Sequence, residues 1–283
     1  MRSVSLVHGN KRNIPDPPAM ADFLLQETTV TAPDPSPVVN RLIQSMPDSA
    51  RARLLAHCTQ EQLAFGEVLC ETTKPIRHVY FPLTGFISLV AAVGGHRPLE
   101  MGMIGNEGML GATLALGISA APLQAIVQGA GTALRMTTAQ FRLHLRGSPE
   151  LQRTLNGYLY VLIEQLTQTA ACNSFHEVQA RLARWLLMTN DRAHGDRFHL
   201  THQFLAQMLG VRRSAVTIAA GDLQRRQLIG YTRGQITVRS RRGLEQASCE
   251  CYAAAVAAYA RRLPWSDGTV ALASAHHSGA YST

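Results

Sequence analysis

Between Ser174 and Gln246 the chain places twelve arginines (Arg181, Arg184, Arg192, Arg197, Arg212, Arg213, Arg225, Arg226, Arg233, Arg239, Arg241 and Arg242). Only Glu177, Asp191, Asp196, Asp222 and Glu245 oppose them, so this segment holds seven of the protein's eight net positive charges. Clustered cations bind polyanions because each phosphate they neutralise releases counterions. A solvated basic face is the other reading of the same charge. Reactive groups are sparse elsewhere. Cys249-x-Cys251 hints at metal, but on one helix over 244–262 residues two apart point away from each other. The five cysteines (Cys58, Cys70, Cys172, Cys249, Cys251) therefore read as free thiols without a disulfide framework. His96 and Glu100 lack the further histidines of a metal-dependent barrel enzyme, and no Ser or Cys nucleophile stands beside a base. His276-His277 falls in a Ser/Ala/Gly tail and reads as solvent-exposed. Neither an enzyme nor a bound cofactor or metal is expected.

The positions around the central arginines have a definite local order. Thr201 is a good N-cap for a helix over about His202–Leu209, and Gly210 supplies the left-handed conformation that ends it. A second helix over about Arg212–Gln224 follows Val211. Ala206 is small where the two helices would cross, and Leu205, Leu209, Val211, Val216 and Ala219 fall where apolar residues must plug the angle. This is the pattern of a helix-turn-helix, and Leu228–Val238 adds a wing: two alternating strands about Arg233-Gly234. On the second helix Val216, Ala219, Ala220 and Leu223 should face inward. Arg213, Ser214, Thr217 and Ile218 share the other face, near the end that such helices insert into the major groove. Arg213 is suited to a bidentate contact with guanine, Ser214 and Thr217 to base edges or phosphate, and Ile218 to a thymine methyl. Arg212, Arg225, Arg226 and Arg233 are suited to phosphate.

A chain of 283 residues with 46% apolar and 16% charged residues allows two modest globular domains. No apolar run approaches the ~20 residues needed to cross a bilayer. Met1–Met20 carries charge and Pro15, Pro17 and Pro18 instead of a secretory signal, so the expected location is cytoplasmic. Residues 1–37, rich in Pro, Thr, Asp and Ser, read as a disordered arm. Asn40–Cys58 reads as a short helical stretch with Leu42, Ile43, Met46, Leu54 and Leu55 as its apolar positions. From about Gln62 to Met136, short apolar runs alternate with Gly and Pro: His78–Phe81, Phe86–Val93, Leu99–Ile104, Gln124–Val127 and Thr132–Met136. With a turn at Pro82–Gly85 and a hairpin tip at Val93–His96, they predict an antiparallel roll within 38–147.

Ser148-Pro149-Glu150 opens a long helix expected over 148–172. Its Leu155, Tyr158, Leu162, Leu166 and Thr169 step by 3, 4, 4 and 3, which suits either a dimer seam or packing on the chain's own roll. Ser174 and Glu177 read as a capping box, placing a hinge near Cys172-Asn173 before a winged helix-turn-helix over 173–246. Leu182, Trp185 and Leu186 form the buried side of that domain's first helix, and residues 247–283 complete the chain as a helix and flexible tail.

These features together resemble the Crp/Fnr superfamily of bacterial transcription regulators over about 38–246. The resemblance implies an α+β architecture: a cyclic-nucleotide-binding-like β-roll, a long dimerisation helix and a C-terminal winged helix-turn-helix. It further implies a homodimer on double-stranded DNA with a two-fold symmetric site, half-sites ~34 Å apart, and RNA polymerase as a partner. Where the family's cyclic-nucleotide binders carry a Gly-Glu pair and a later arginine, this chain reads Gly111-Ala112-Thr113 and Ala121-Pro122-Leu123. The carboxylate and the cation are both missing, and a buried phosphate would lack its partner. Tight cyclic-nucleotide binding is not expected. The N-terminal cysteine cluster of the iron–sulfur branch is also absent. The family's acidic and second arginine base-readers fall at Ser214 and Ile218, so the operator should differ from that of the cyclic-AMP receptor.

Overall fold

The computed structural model describes residues 39–263 apart from 93, 95–97 and 194. The arm, the tail with His276-His277, His96 and most of the Val93–His96 tip lie outside the described residues. The helical stretch after Asn40 is two pieces, α1 (Arg41–Gln44) and α2 (Asp48–Leu55), because Pro47 cannot continue the first.

Seven strands follow: β1 (Thr59–Leu63), β2 (Val68–Cys70), β3 (His78–Pro82), β4 (Phe86–Ala91), β5 (Leu99–Ile104), β6 (Gln124–Gly129) and β7 (Gly131–Thr137). They form two antiparallel sheets, ordered β1-β7-β3 and β2-β6-β4-β5. The expected roll is present. β1 and β2 escaped the sequence reading because they are short, and the Thr-Gln-Glu-Gln run of β1 has one side open to water. Val79, Phe81, Ile87, Met109 and Val127 centre the roll's core, to which α3 (Thr138–Gly147) adds Phe141.

α4 (Pro149–Phe175) begins as expected, with Leu151 N–H donating to the Ser148 hydroxyl. Its end corrects the sequence reading. The helix runs past Cys172-Asn173 to Phe175, and Ser174 donates its hydroxyl to the Ala170 carbonyl at 3.1 Å instead of capping a new helix. No proline or glycine stands between Ala170 and Phe175 to stop the helix, and a mid-helix serine readily bonds back one turn. The hinge is His176-Glu177, ahead of α5 (Val178–Ala193).

Of the two readings of the 155/158/162/166/169 stripe, the structure favours packing on the chain's own roll. Leu155 and Tyr158 are fully enclosed in the roll core, with Leu162 packed at its edge and Thr169 buried. On the other side of α4, Arg153, Asn156, Tyr160, Ile163, Thr167, Ala170 and Ser174 are exposed at steps of 3 and 4, a heptad seam of their own.

β8 (Arg197–His199), α6 (His202–Met208), α7 (Arg213–Arg225), β9 (Ile229–Thr232) and β10 (Gln235–Val238) complete the second domain, with sheet order β8-β10-β9. The expected single C-terminal helix is instead α8 (Arg241–Ala247) and α9 (Cys251–Arg262), broken at residues 248–250. α9 returns along α4, where the Arg262 guanidinium lies 4.6 Å from the Tyr160 ring centre.

The second domain's core is not closed on itself. Phe86 of β4 and Met103 of β5 join Trp185, Leu186, Leu205, Leu209, Val216 and Leu223 in one apolar cluster, so the roll's outer face serves as a wall of the neighbouring domain.

Candidate nucleic-acid interface

Thr201 caps α6 by accepting from Phe204 N–H at 3.1 Å, and Gly210 adopts φ +64° in the turn. Leu205, Ala206 and Leu209 are buried on one helix, and Val216, Ala219, Ala220 and Leu223 on the next, as the spacing predicts. α7 starts at Arg213, with Arg212 as its N-cap and no side chain capping it. The helix therefore presents the positive pole of its dipole outward, a favourable position for a phosphate.

Arg212, Arg213, Ser214, Thr217 and Ile218 are all exposed. Ile218 is 74% exposed, and no packing role in the chain accounts for an aliphatic side chain there. The Thr217 hydroxyl donates to the Arg213 carbonyl at 3.1 Å and lies 3.0 Å from His202 Nδ1. His202 was not singled out in the sequence. It stacks on Tyr231 with centroids 4.4 Å apart, so one imidazole connects α6, α7 and the wing. Burial and the Arg213 guanidinium hold His202 below the usual imidazole range, which keeps it neutral beside that cation.

The wing is a two-residue hairpin. Arg233 and Gly234 take φ +50° and +83°, the positive pair of a type I′ turn, and leave Arg233 exposed at the tip.

Charge is less concentrated on this surface than the composition implies. Arg181, Arg184 and Arg192 are buried. Arg181 donates to the Leu209 carbonyl at the end of α6, and to Asn173 Oδ1 at 2.8 Å, so it braces the turn from inside. Arg192 pairs with Glu107 of the roll at 2.7 Å, and Arg241 with Asp191 at 2.6 Å. Arg225 and Arg226 are exposed, but both face Asp222, at 2.8 and 3.7 Å. Arg197, Arg239 and Arg242 are exposed as well. Periodicity distinguishes an apolar face from a polar one, but it does not reveal which arginines an acid from another element will claim.

The Gly111–Thr113 and Ala121–Leu123 stretches, which the sequence reading set against a nucleotide site, are partly taken up by core. Gly111 adopts φ +97° before a 3-10 helix (Ala112–Leu116), and a Cβ there would meet Val79 at 2.8 Å. Ala112, Leu114 and Ala121 belong to the roll core, while Thr113 and Leu123 are half-buried and Pro122 is exposed. Glu100 is buried at the junction of the domains, with Ser88 and Trp185 on its two oxygens.

All five cysteines are free thiols, as expected, but the argument that Cys249 and Cys251 point apart needs correction. Cys249 lies in the break between α8 and α9 and Cys251 begins α9, so the two thiols do not diverge as on one continuous helix. They meet Cys172 and His176, with all four ligand atoms within 4.8 Å of one another.

Residues 180–247 match the model of the Crp-like helix-turn-helix domain. The chain carries a Crp-like helix-turn-helix domain on a Crp/Fnr-type fold. FixK2 of Bradyrhizobium japonicum has a TM-score of 0.57 at 16% identity, over 68% of this chain and 98% of that one. The c-di-GMP-responsive global regulator CLP of Xanthomonas campestris has a TM-score of 0.55 at 17% identity, over 68% and 99%. A CRP/FNR-family transcriptional regulator of Thermus thermophilus also scores 0.55, at 19% identity over 67% and 98%. At such identities the likeness is one of fold. No curated protein matches the sequence. Among the described residues, no helix is long and apolar enough to cross a membrane.

Proposed function

We propose that the chain is a cytoplasmic, sequence-specific DNA-binding transcription regulator of Crp/Fnr type, without enzymatic activity. The observation that carries this reading is α7. Its Val216, Ala219, Ala220 and Leu223 face is buried, while Arg213, Ser214, Thr217 and the strongly exposed Ile218 look outward beside an uncapped helix N-terminus. Arg213 reads guanine, Ser214 and Ile218 contact neighbouring base edges, and Arg212 and the wing's Arg233 hold phosphates. Thr217, whose hydroxyl proton is committed to Arg213, serves as an acceptor.

The protein acts as a homodimer joined along α4 by the exposed Asn156, Tyr160, Ile163, Thr167 and Ala170 seam, on a two-fold symmetric duplex site. RNA polymerase is the partner at the promoter. Control by cyclic AMP is not part of the reading: Ala112 is a core residue where a nucleotide-binding roll needs a carboxylate, and Pro122-Leu123 offers no cation. A genome-wide map of bound sites, with competition by RNA against DNA from the gene's own upstream region, tests the proposal. A recurring two-fold motif is the expected result. Preference for RNA, or no duplex binding at low salt, would transfer the basic domain to another class of partner.

A further inference from the structure

We propose that Cys172, His176, Cys249 and Cys251 form a tetrahedral Cys3His site for one thiophilic divalent ion of the zinc class. Cys172 Sγ lies 3.5 Å from Cys249 Sγ, and Cys251 Sγ lies 3.5 Å from His176 Nδ1. Ligands about 2.3 Å (sulfur) and 2.0 Å (nitrogen) from a tetrahedral zinc are separated by roughly 3.5–3.8 Å, so the four groups need little movement to close on an ion. The three thiols are buried and His176 is half-buried.

The surroundings are those of a metal ligand set. The other ring nitrogen of His176, Nε2, meets the Glu250 carboxylate at 3.1 Å. A carboxylate in that position fixes the tautomer that leaves Nδ1 free to ligate. Gln168 donates its side-chain amide to Cys251 Sγ at 2.8 Å, as outer donors do to a ligating thiolate. Three thiolates and one divalent cation leave a single negative charge on the site. Soft sulfur and one imidazole select zinc-like ions over calcium or magnesium.

The ligands come from the last turn of α4, from the hinge, from the break between α8 and α9 and from the first residue of α9. An ion there would tie the long helix to the far end of the DNA-binding domain across the hinge, and its loss would free that domain's orientation.

The test is metal analysis of the full-length protein purified under reducing conditions without chelator, followed by cobalt exchange. About one zinc per chain is expected, with cobalt giving visible ligand-field bands and a thiolate charge-transfer band characteristic of tetrahedral sulfur ligation. C249S and C251S should each lower metal content at least tenfold, while C58S and C70S, whose thiols lie elsewhere, should leave it unchanged. Circular dichroism checks that the variants fold, and thiol-reagent release of zinc from the unaltered protein provides a readout without substitution. Reduced protein that holds no metal and develops no cobalt spectrum would overturn the site. So would a Cys172–Cys249 disulfide in the isolated protein, or full metal retention by C249S/C251S.

Discussion

Trp185 donates its indole N–H to Glu100 Oε1 at 2.8 Å, joining the first helix of the DNA-binding domain to strand β5 of the roll. Ser88 reaches the other carboxylate oxygen at 2.5 Å. The nearby Arg192–Glu107 pair crosses the same junction. Two acids, an indole and a guanidinium thus lie buried between the roll and α5.

This junction should depend on pH. Burial pushes the Glu100 carboxyl up to about 7, against the opposing pull of its bonds to Ser88 and Trp185 and of Arg184 and Arg192. A carboxyl with a raised folded-state pKa binds its proton more tightly when folded. The stability it contributes is complete below about 4.5 and is lost as pH rises through about 7. That interval corresponds to roughly 3 kcal/mol. Urea unfolding at pH 5, 6, 7 and 8 should show stability falling across the range, and Glu100→Gln should flatten the profile. A flat profile for the unaltered protein would count against the assignment.

Base reading and phosphate contact should separate by substitution. Arg213→Ala should cost about 1–3 kcal/mol at one base position and relax preference there. Arg233→Ala should weaken all sequences alike and lower the salt slope by about 1. Asp222→Asn should tighten binding by releasing Arg225 and Arg226. Fluorescence anisotropy on a set of single-base operator variants, at several salt concentrations, resolves the three.

Gly210 is constrained by its backbone conformation. Its φ of +64° disfavours any other residue, and an added Cβ would lie 2.8 Å from Leu99 Cδ1. Gly210→Ala should therefore lower stability by about 1–2 kcal/mol, chiefly through backbone strain, with the end of the Leu99 side chain turning aside. Thermal melts provide the measurement, and an unchanged midpoint would contradict the geometry.

Ile163 is 60% exposed on the outward seam of α4. Ile163→Glu should leave the fold intact but weaken the proposed dimer, at least tenfold in dimerisation constant, with duplex affinity falling in parallel. Sedimentation equilibrium checks this. The enclosed Leu155 should behave differently: Leu155→Ala should cost about 2–5 kcal/mol of folding stability.

Much of the DNA-binding domain was legible in the sequence because its rules are local. Thr201 caps within three residues, Gly210 is demanded by a turn, and a period near 3.6 assigns Val216 and Ile218 to opposite faces whatever the rest of the molecule does. The same holds for the start of α4 at Ser148-Pro149. Its end was misread because Ser174 satisfies two local patterns equally well, cap and back-bonded helix, and only the neighbours decide between them.

What the tertiary structure alone decided is where distant segments meet. Spacing yields a stripe on α4 but not the side on which the roll lies, so Leu155 and Tyr158 went inward and Ile163 outward. Composition counts arginines but not the buried acid that claims Arg192 or the half-buried one shared by Arg225 and Arg226. Cys172 and Cys249 are 77 residues apart in the chain and 3.5 Å apart in space. Such long-range proximity depends on how helices pack and where one breaks, which no local pattern in the sequence encodes.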